Sequence, residues 1–317
     1  MTELSLVAGF IYLLVGGDVL VRGSVALARR LQVPAVFVAA TVVGFGTSLP
    51  ELVVSVQATL DGYPGLILGN VVGSNIANVL LVGGASAAVY PLMHDDRDAR
   101  RNIGLMAFSV LLFSALCVWI DLGQLAGAAL LVIFLALMMS SLGSAFGGKE
   151  DRDSTTPLDW ILGIPTRVAS IALFIIVGVV FLPVGANLLV QSAIEMAARL
   201  DVSDTVVGLS ILAIGTSLPE LVTTVLAALE RRTDVALGAI VGSNTFNVLA
   251  IMGVTAAMSS EPIPVSTRFL WLDLPVMLVT SLTLATVAWK ARPIGRGWGI
   301  SMLLAYCAYL STLYLVA

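Results

Sequence analysis

Residues 46–53 read GTSLPELV, and residues 215–222 read GTSLPELV again. The match continues downstream: residues 69–80 read GNVVGSNIANVL and residues 238–249 read GAIVGSNTFNVL. Both pairs stand 169 positions apart, and the same offset aligns Leu31-Gln32-Val33 with Leu200-Asp201-Val202. A gapless match of this length at one offset marks an internal duplication. The duplicated unit covers most of each half of the chain.

The composition says what solvent surrounds the repeat. The 317 residues are 58% hydrophobic and 11% charged, with a mean hydropathy of +1.02. Soluble domains carry about 25% charged residues, so lipid is the natural surrounding. A bilayer core needs about 20 apolar residues per helix. Ten stretches meet that need: 4–28, 34–60, 65–90, 102–120, 123–146, 166–199, 203–229, 234–258, 268–289 and 297–317. Trp119, Trp160, Trp271, Trp289 and Trp298 fall near their ends, where interfacial aromatics belong. The least apolar connection, GGKEDRDSTTP at 147–157, divides five helices from five. The expected organisation is a first repeat at 1–146, a polar cytoplasmic linker at 147–157 and a second repeat at 158–317. The first motif occupies 44–80 and the second 213–249.

Lysine and arginine set the orientation. Alternate connections hold Arg29 and Arg30; Arg97, Arg100 and Arg101; Lys149 and Arg152; Arg231 and Arg232; and Lys290, Arg292 and Arg296, with Arg167 close to the same side. The opposite connections hold only Arg199 and Arg268. Both termini should therefore face outside. Five helices is an odd number, so the second copy enters the membrane from the other side. The expected fold is an all-α membrane protein with two five-helix repeats of inverted topology, an arrangement that places substrate near the midplane.

Glu51 and Glu220 each lie about 17 residues into their spans. A carboxylate at that depth is costly and should be paired, hydrated or bound to a cation. No basic residue shares the depth of either one. Pro50 and Pro219 lack an N–H, which frees the carbonyls of Gly46 and Gly215. Gly44 loosens the preceding turn. Thr47, Ser48, Thr216 and Ser217 add hydroxyls one turn before each glutamate. Ser74 and Asn78 share a helix face in the next span, as do Ser243 and Asn247. Carboxylate, hydroxyl, amide and freed carbonyl oxygens are hard ligands, suited to Ca²⁺, Na⁺ or Mg²⁺.

Blander readings compete for some of these residues. Gly69 and Gly73 have helix-packing spacing, and Ser or Asn in a membrane helix often serves only interhelical bonding. Taken alone, Ser74 and Asn75 support either view. The glutamates, doubled beside doubled Pro, Thr and Ser, do not fit a packing role. Asp18 and Arg22 have the spacing of a helical ion pair, and the repeat exchanges both for the neutral Asn187 and Gln191. That pair reads as structural. Glu195 and Arg199 repeat the spacing near an interface. His94, the only histidine, sits with Asp95 and Asp96 in a connection that reads as solvated loop. Cys117 and Cys307 have no metal spacing. The N-terminus lacks a basic n-region, so no cleaved signal is expected. A net charge of −4 calls for no nucleic acid, and no obligate protein partner is indicated.

GTSLPE with GNVVGSNIAN, and GTSLPE with GAIVGSNTFN, resemble the two α-repeats of the cation/Ca²⁺ exchanger superfamily, in its prokaryotic Na⁺/Ca²⁺ exchanger branch. The resemblance covers nearly the whole chain. It implies a multi-pass protein of the plasma (inner) membrane that exchanges Ca²⁺ for Na⁺ by alternating access, with no enzymatic activity and no cofactor. It implies the carboxylate ligands Glu51 and Glu220 and the hydroxyl ligands Thr47, Ser48, Ser74, Thr216, Ser217 and Ser243. It also implies the amide ligands Asn78 and Asn247 and the backbone ligands Gly44 and Ala213. The first and sixth helices would slide against the remaining core. Relatives can carry Asp where this chain has Asn247, which removes one titratable group. Exchange of Ca²⁺ for H⁺, or K⁺-dependent exchange, is the alternative reading. An uncoupled cation channel is disfavoured by the inverted duplication.

Overall fold

The structure, a computed structural model, describes residues 2–33, 35–60, 62, 64–93, 97–120, 122–147, 164–199, 213–289 and 293–316. Asp61, the 94–96 loop, the linker beyond Gly147 with Lys149 and Arg152, residues 201–212, Lys290 and Arg292 lie outside the described residues. In chain order the helices are α1 (Thr2–Leu31), α2 (35–47), α3 (Leu49–Leu60), α4 (Pro64–Val89), α5 (Arg97–Trp119), α6 (Gln124–Gly147) and α7 (Val168–Arg199). There follow α8 (Ala213–Thr216), α9 (Leu218–Leu229), α10 (Thr233–Met258), α11 (Thr267–Trp271), α12 (Asp273–Trp289) and α13 (Arg296–Val316).

Among the described residues, seven helices are long and apolar enough to cross a bilayer. The arms on either side of Ser48 in α2 and α3 are bent by 49° and make an eighth together. The sequence expects ten. Of the remaining two, α9 runs only 12 residues, from the break at Ser217 to Leu229, and its preceding arm α8 is described only from Ala213. Helix α13 runs 21 residues, or about 30 Å at the helical rise.

Two helices form the centre. Every residue of α10 from Val235 to Thr245 is buried, as expected for a helix apolar all round. Helix α4 is buried from Val71 to Leu80 except at Gly73. The periphery is α6 and α7, whose Val132, Leu135, Met139, Leu173, Ile176 and Val180 are exposed. In a bilayer those side chains meet lipid. The long helices α1 and α7 pack along each other, and Gly178 sets their spacing: a Cβ there would lie 2.5 Å from Leu20 Cβ. Small residues permit this close approach between membrane helices.

Among the described residues, three helices widen to π-helical turns, over 39–43, 78–83 and 246–251. Such turns leave the regular hydrogen-bond ladder and recur at functional sites. Two of them follow the Ser-Asn motifs at nearly the repeat offset. The helix ends also match. Gly62 has φ +74° and Arg231, 169 residues later, has φ +59°. A left-handed residue after a helix is ordinary for glycine and unusual for arginine. Arg231 places its guanidinium 5.8 Å from the centre of the Tyr90 ring, a cation–π contact that offsets part of the strain.

Among the described residues, two short antiparallel bridges join loops of the first half to loops of the second. One pairs Leu92 with Ile294 and the other pairs Leu122 with Ile263. Backbone bonds of 2.9 and 3.1 Å close the first, and the Ile263 N–H donates to the Leu122 carbonyl at 3.0 Å in the second.

Candidate cation site

The two GTSLPE segments interrupt their helices in the same way. Ser48 has φ −84° and ψ 9°, and Ser217 has φ −88° and ψ 5°. A new helix starts at the next residue in each case, with proline at its second position and glutamate at its third. Proline is tolerated there because first-turn N–H groups have no intrahelical acceptor. The break turns Glu51 and Glu220 inward. Their exposures are 0% and 1%.

The partners of these glutamates cross between halves. Ser48 Oγ donates to Glu220 Oε1 at 2.8 Å. Thr47 and Ser243 also act on Glu220. Thr216, from the second motif, acts on Glu51 of the first, and the two carboxylates repel one another across the site. The Thr216 contact is a dipolar one, since neither Glu51 carboxyl oxygen has a hydrogen bond of ordinary geometry. Among the described residues no arginine or lysine acts on either carboxylate.

Neutral oxygens surround the pair. Ser243 Oγ donates to the Gly44 carbonyl at 3.1 Å and lies 3.5 Å from Thr47 Oγ1. Thr47 Oγ1 donates to the same carbonyl at 3.2 Å. Asn247 Nδ2 donates to Ser74 Oγ at 3.0 Å. The backbones can come this near because of Gly242, where any Cβ would collide with the Ala40 backbone. Phe45 stacks on Phe246 with ring centres 4.7 Å apart, beside the same contact.

Both Glu51 carboxyl oxygens, Glu220 Oε2, Asn247 Oδ1, Ser217 Oγ and both amide atoms of Asn78 are buried without a hydrogen-bond partner. Buried polar atoms are rarely left so in folded proteins. Two carboxylates with hydroxyl, amide and carbonyl oxygens match the donor set of a hard cation. Among the described residues no three His, Cys, Asp or Glu side chains converge, so the donors are mostly neutral.

Of the residues singled out from the sequence, Gly44, Thr47, Ser48, Glu51, Thr216, Glu220 and Ser243 fall in one contact network. Ser74 and Asn247 form a second contact between α4 and α10. The side chains of Asn78 and Ser217 are buried but hydrogen-bonded to no protein group. Ala213 begins α8, and its side chain lies outside the described residues. Four polar residues went unassigned in the sequence: Ser55, Asn70, Thr223 and Thr224. Asn70 Nδ2 bonds the Glu51 carbonyl and Ser55 Oγ. Thr223 and Thr224 bond the Glu220 carbonyl at 3.0 and 2.7 Å. Their spacing was the available signal: Asn70 stands four residues before Ser74, on the same helix face.

A family model described as sodium/calcium exchanger protein matches residues 3–143 and 170–315. The chain belongs to the sodium/calcium exchanger family. Its members include relatives of the same length. The putative antiporter CaxA of Alkalimonas amylolytica is 33% identical over 96% of both chains. The sodium/calcium exchanger MaX1 of Methanosarcina acetivorans is 29% identical over 99% of this chain and 98% of its own. A structure of the sodium-calcium exchanger NCX_Mj, soaked with Na⁺ and Ca²⁺, superposes with a TM-score of 0.84 at 30% identity, covering 98% of each chain. This is a family of membrane transporters rather than catalysts, and the chain shares its fold.

Proposed function

We propose that this chain is a secondary antiporter that exchanges Ca²⁺ for Na⁺ by alternating access. The observation that carries the reading is the crossing of partners. Ser48 of the first motif serves Glu220 of the second, in a buried cluster with two carboxylates and no basic side chain acting on them. A divalent ion neutralises both carboxylates at once, and Na⁺ can do so with more than one ion. With neither bound, two like charges remain close in a medium of low dielectric, which opposes any change that seals them from water. Switching is then coupled to occupancy, and occupancy by either ion gives exchange.

The ligands in this reading are Glu51, Glu220, Thr47, Ser48, Ser74, Asn78, Thr216, Ser217, Ser243 and Asn247, with carbonyls at Gly44 and Ala213. They sit in an architecture of ten spans, five in 1–146 and five in 158–317, of opposite topology and joined by the 147–157 linker. Several features support it. The breaks at Ser48 and Ser217 share their backbone angles. Gly62 and Arg231 are both left-handed at the repeat offset. The two loop bridges also exchange under the repeat, since Leu92 maps near Ile263 and Leu122 near Ile294, at offsets of 171 and 172. The arginine and lysine distribution supports an orientation with both termini outside the plasma (inner) membrane.

The deciding measurement is ⁴⁵Ca²⁺ uptake into proteoliposomes under an imposed Na⁺, K⁺ or H⁺ gradient. Uptake driven by Na⁺ alone supports the proposal. A requirement for K⁺ beside Na⁺ amends it. Uptake driven only by a pH gradient replaces it with Ca²⁺/H⁺ exchange, and uptake with no gradient replaces it with a channel.

A further inference from the structure

Asn70 joins the two carriers of the first motif. Its side-chain amide donates to the Glu51 carbonyl at 2.9 Å and to Ser55 Oγ at 2.8 Å. Its own carbonyl accepts from Ser74 Oγ at 2.7 Å, and Ser74 Oγ accepts from Asn247 Nδ2 at 3.0 Å. One chain of hydrogen bonds therefore runs from Asn247 through Ser74 and Asn70 to the backbone of the first buried carboxylate.

The repeat offers an internal comparison. At the offset of 169, Ala239 stands for Asn70 and Thr224 stands for Ser55. The amide donor is lost in the second half, and a threonine hydroxyl does its work. Thr224 Oγ1 donates to the Glu220 carbonyl at 2.7 Å, and Thr223 Oγ1 adds a longer contact at 3.0 Å. Each glutamate carbonyl thus receives a side-chain donor, in the first half from the neighbouring helix and in the second from its own. A carbonyl has two lone pairs, and a hydroxyl bonded four residues back bends its helix. The second donor therefore sets the tilt of the turn that aims the carboxylate.

We propose that Asn70 is a positioning residue for Glu51, doing from α4 what Thr224 does for Glu220 from within α9. The inference rests on reading Glu51 as an ion ligand. It has a mechanical corollary: the Glu51 turn is tied to the helix carrying Ser74 and Asn78, whereas the Glu220 turn is set inside its own helix.

The test uses the full-length protein and three variants: Asn70→Ala, Asn70→Asp and Asn70→Ala with Ser55→Thr. Na⁺-driven ⁴⁵Ca²⁺ uptake is measured over a range of Ca²⁺ concentrations, with size-exclusion profiles and thermal melts of the same preparations. Asn70→Ala is expected to raise the KM for Ca²⁺ about tenfold at near-parent maximal rate per folded protein, the scale of a lost buried hydrogen bond. Asn70→Asp keeps the shape but cannot donate when ionised, and should behave alike. Adding Ser55→Thr recreates the pairing of Thr224 with Ala239, and should return KM to within about twofold of the parent. An unchanged KM in Asn70→Ala, or a double variant no better than the single, overturns the assignment. A loss confined to yield and melting temperature does the same, because it describes a purely structural residue. If the parent shows no Na⁺-driven uptake, the exchange reading fails first, and equilibrium ⁴⁵Ca²⁺ binding to the same variants then decides the role of Asn70.

Discussion

Ser48 and Ser217 occupy equivalent places in the two motifs, yet only one is bonded. Ser48 Oγ donates to Glu220 Oε1 at 2.8 Å, whereas Ser217 Oγ is buried without a partner. Replacing each by alanine should therefore separate two kinds of cost. Ser48→Ala removes a hydrogen bond to a charged group, worth about 1.5–3 kcal/mol. Glu220 Oε2 is already without a donor, so after the loss the carboxylate keeps only the weaker influence of Thr47 and Ser243. Some of it appears as lowered stability, at roughly 2 °C of melting temperature per kcal/mol for a chain of this size. Ser217→Ala removes no bond present in this structure, so its melting temperature should stay near that of the parent. Both variants remove an oxygen from the proposed ion cage, so both should raise the Ca²⁺ concentration for half-maximal uptake, by about tenfold for each 1.4 kcal/mol lost. The assays are a thermal melt in detergent without Ca²⁺ and Na⁺-driven ⁴⁵Ca²⁺ uptake in proteoliposomes. Equal melting shifts in the two variants would refute the argument from bonding. Unchanged uptake in both would remove the hydroxyls from the ion path.

Other substitutions probe neighbouring parts of the reading. Glu51→Gln and Glu220→Gln each remove one of the two charges that balance a divalent ion, and uptake should fall to near background while the protein still elutes as a folded species. Acidifying the medium from neutral to about pH 5 should slow Ca²⁺ flux in the parent, because protons can neutralise the carboxylates that Ca²⁺ requires; a flat profile would count against a buried pair. Asn247→Asp should add an alkaline loss of activity if the position needs a neutral amide shape, and pH profiles that coincide with the parent throughout would take residue 247 out of the site. Asp18→Asn with Arg22→Gln copies Asn187 and Gln191 of the other half. The pair is a 2.8 Å bridge with side chains 37% and 26% exposed, so exchange should persist with a stability change below about 1 kcal/mol. Single cysteines at Asp61 and Arg231, in a background without Cys117 and Cys307, should react from opposite faces of the membrane, and reaction from one face would undo the inverted arrangement.

The sequence carried the parts that depend on local chemistry. Span boundaries followed from hydropathy, and α4 at Pro64–Val89 lies within one residue of the 65–90 stretch. The Asp18–Arg22 bridge followed from a four-residue spacing. Pro50 and Pro219 marked a disturbed helix in each motif, although the position of the breaks, at Ser48 and Ser217, came only from the structure. What stayed hidden depends on three-dimensional neighbours that two identical octapeptides cannot encode. Ser48 and Ser217 have identical flanks, yet one is bonded and the other is not, because the halves meet different surroundings. Ser74 bonds the carbonyl four residues before it, while Ser243 reaches across to Gly44. The π-helical turns were not legible either, since nothing in the apolar pattern of 39–43, 78–83 and 246–251 departs from that of an ordinary helix. Asn70 was visible as a letter in the motif, but its acceptor lies on another helix.

The bridges at Leu92–Ile294 and Leu122–Ile263 have a bearing on how such a chain can come into being. In each, a loop of one half is completed by a loop of the other, so neither half closes its own ends. A single half made alone would leave its two bridge residues without partners. An upside-down copy of itself is the natural object to finish both. In the proposed inverted architecture the molecule amounts to a pair of antiparallel subunits fused into one polypeptide, and the fusion, rather than the folding of each half, would fix their ratio and pairing. Cutting the chain within 147–157 and producing the two pieces together should regenerate the whole, while either piece produced by itself should be degraded or seek a stand-in partner.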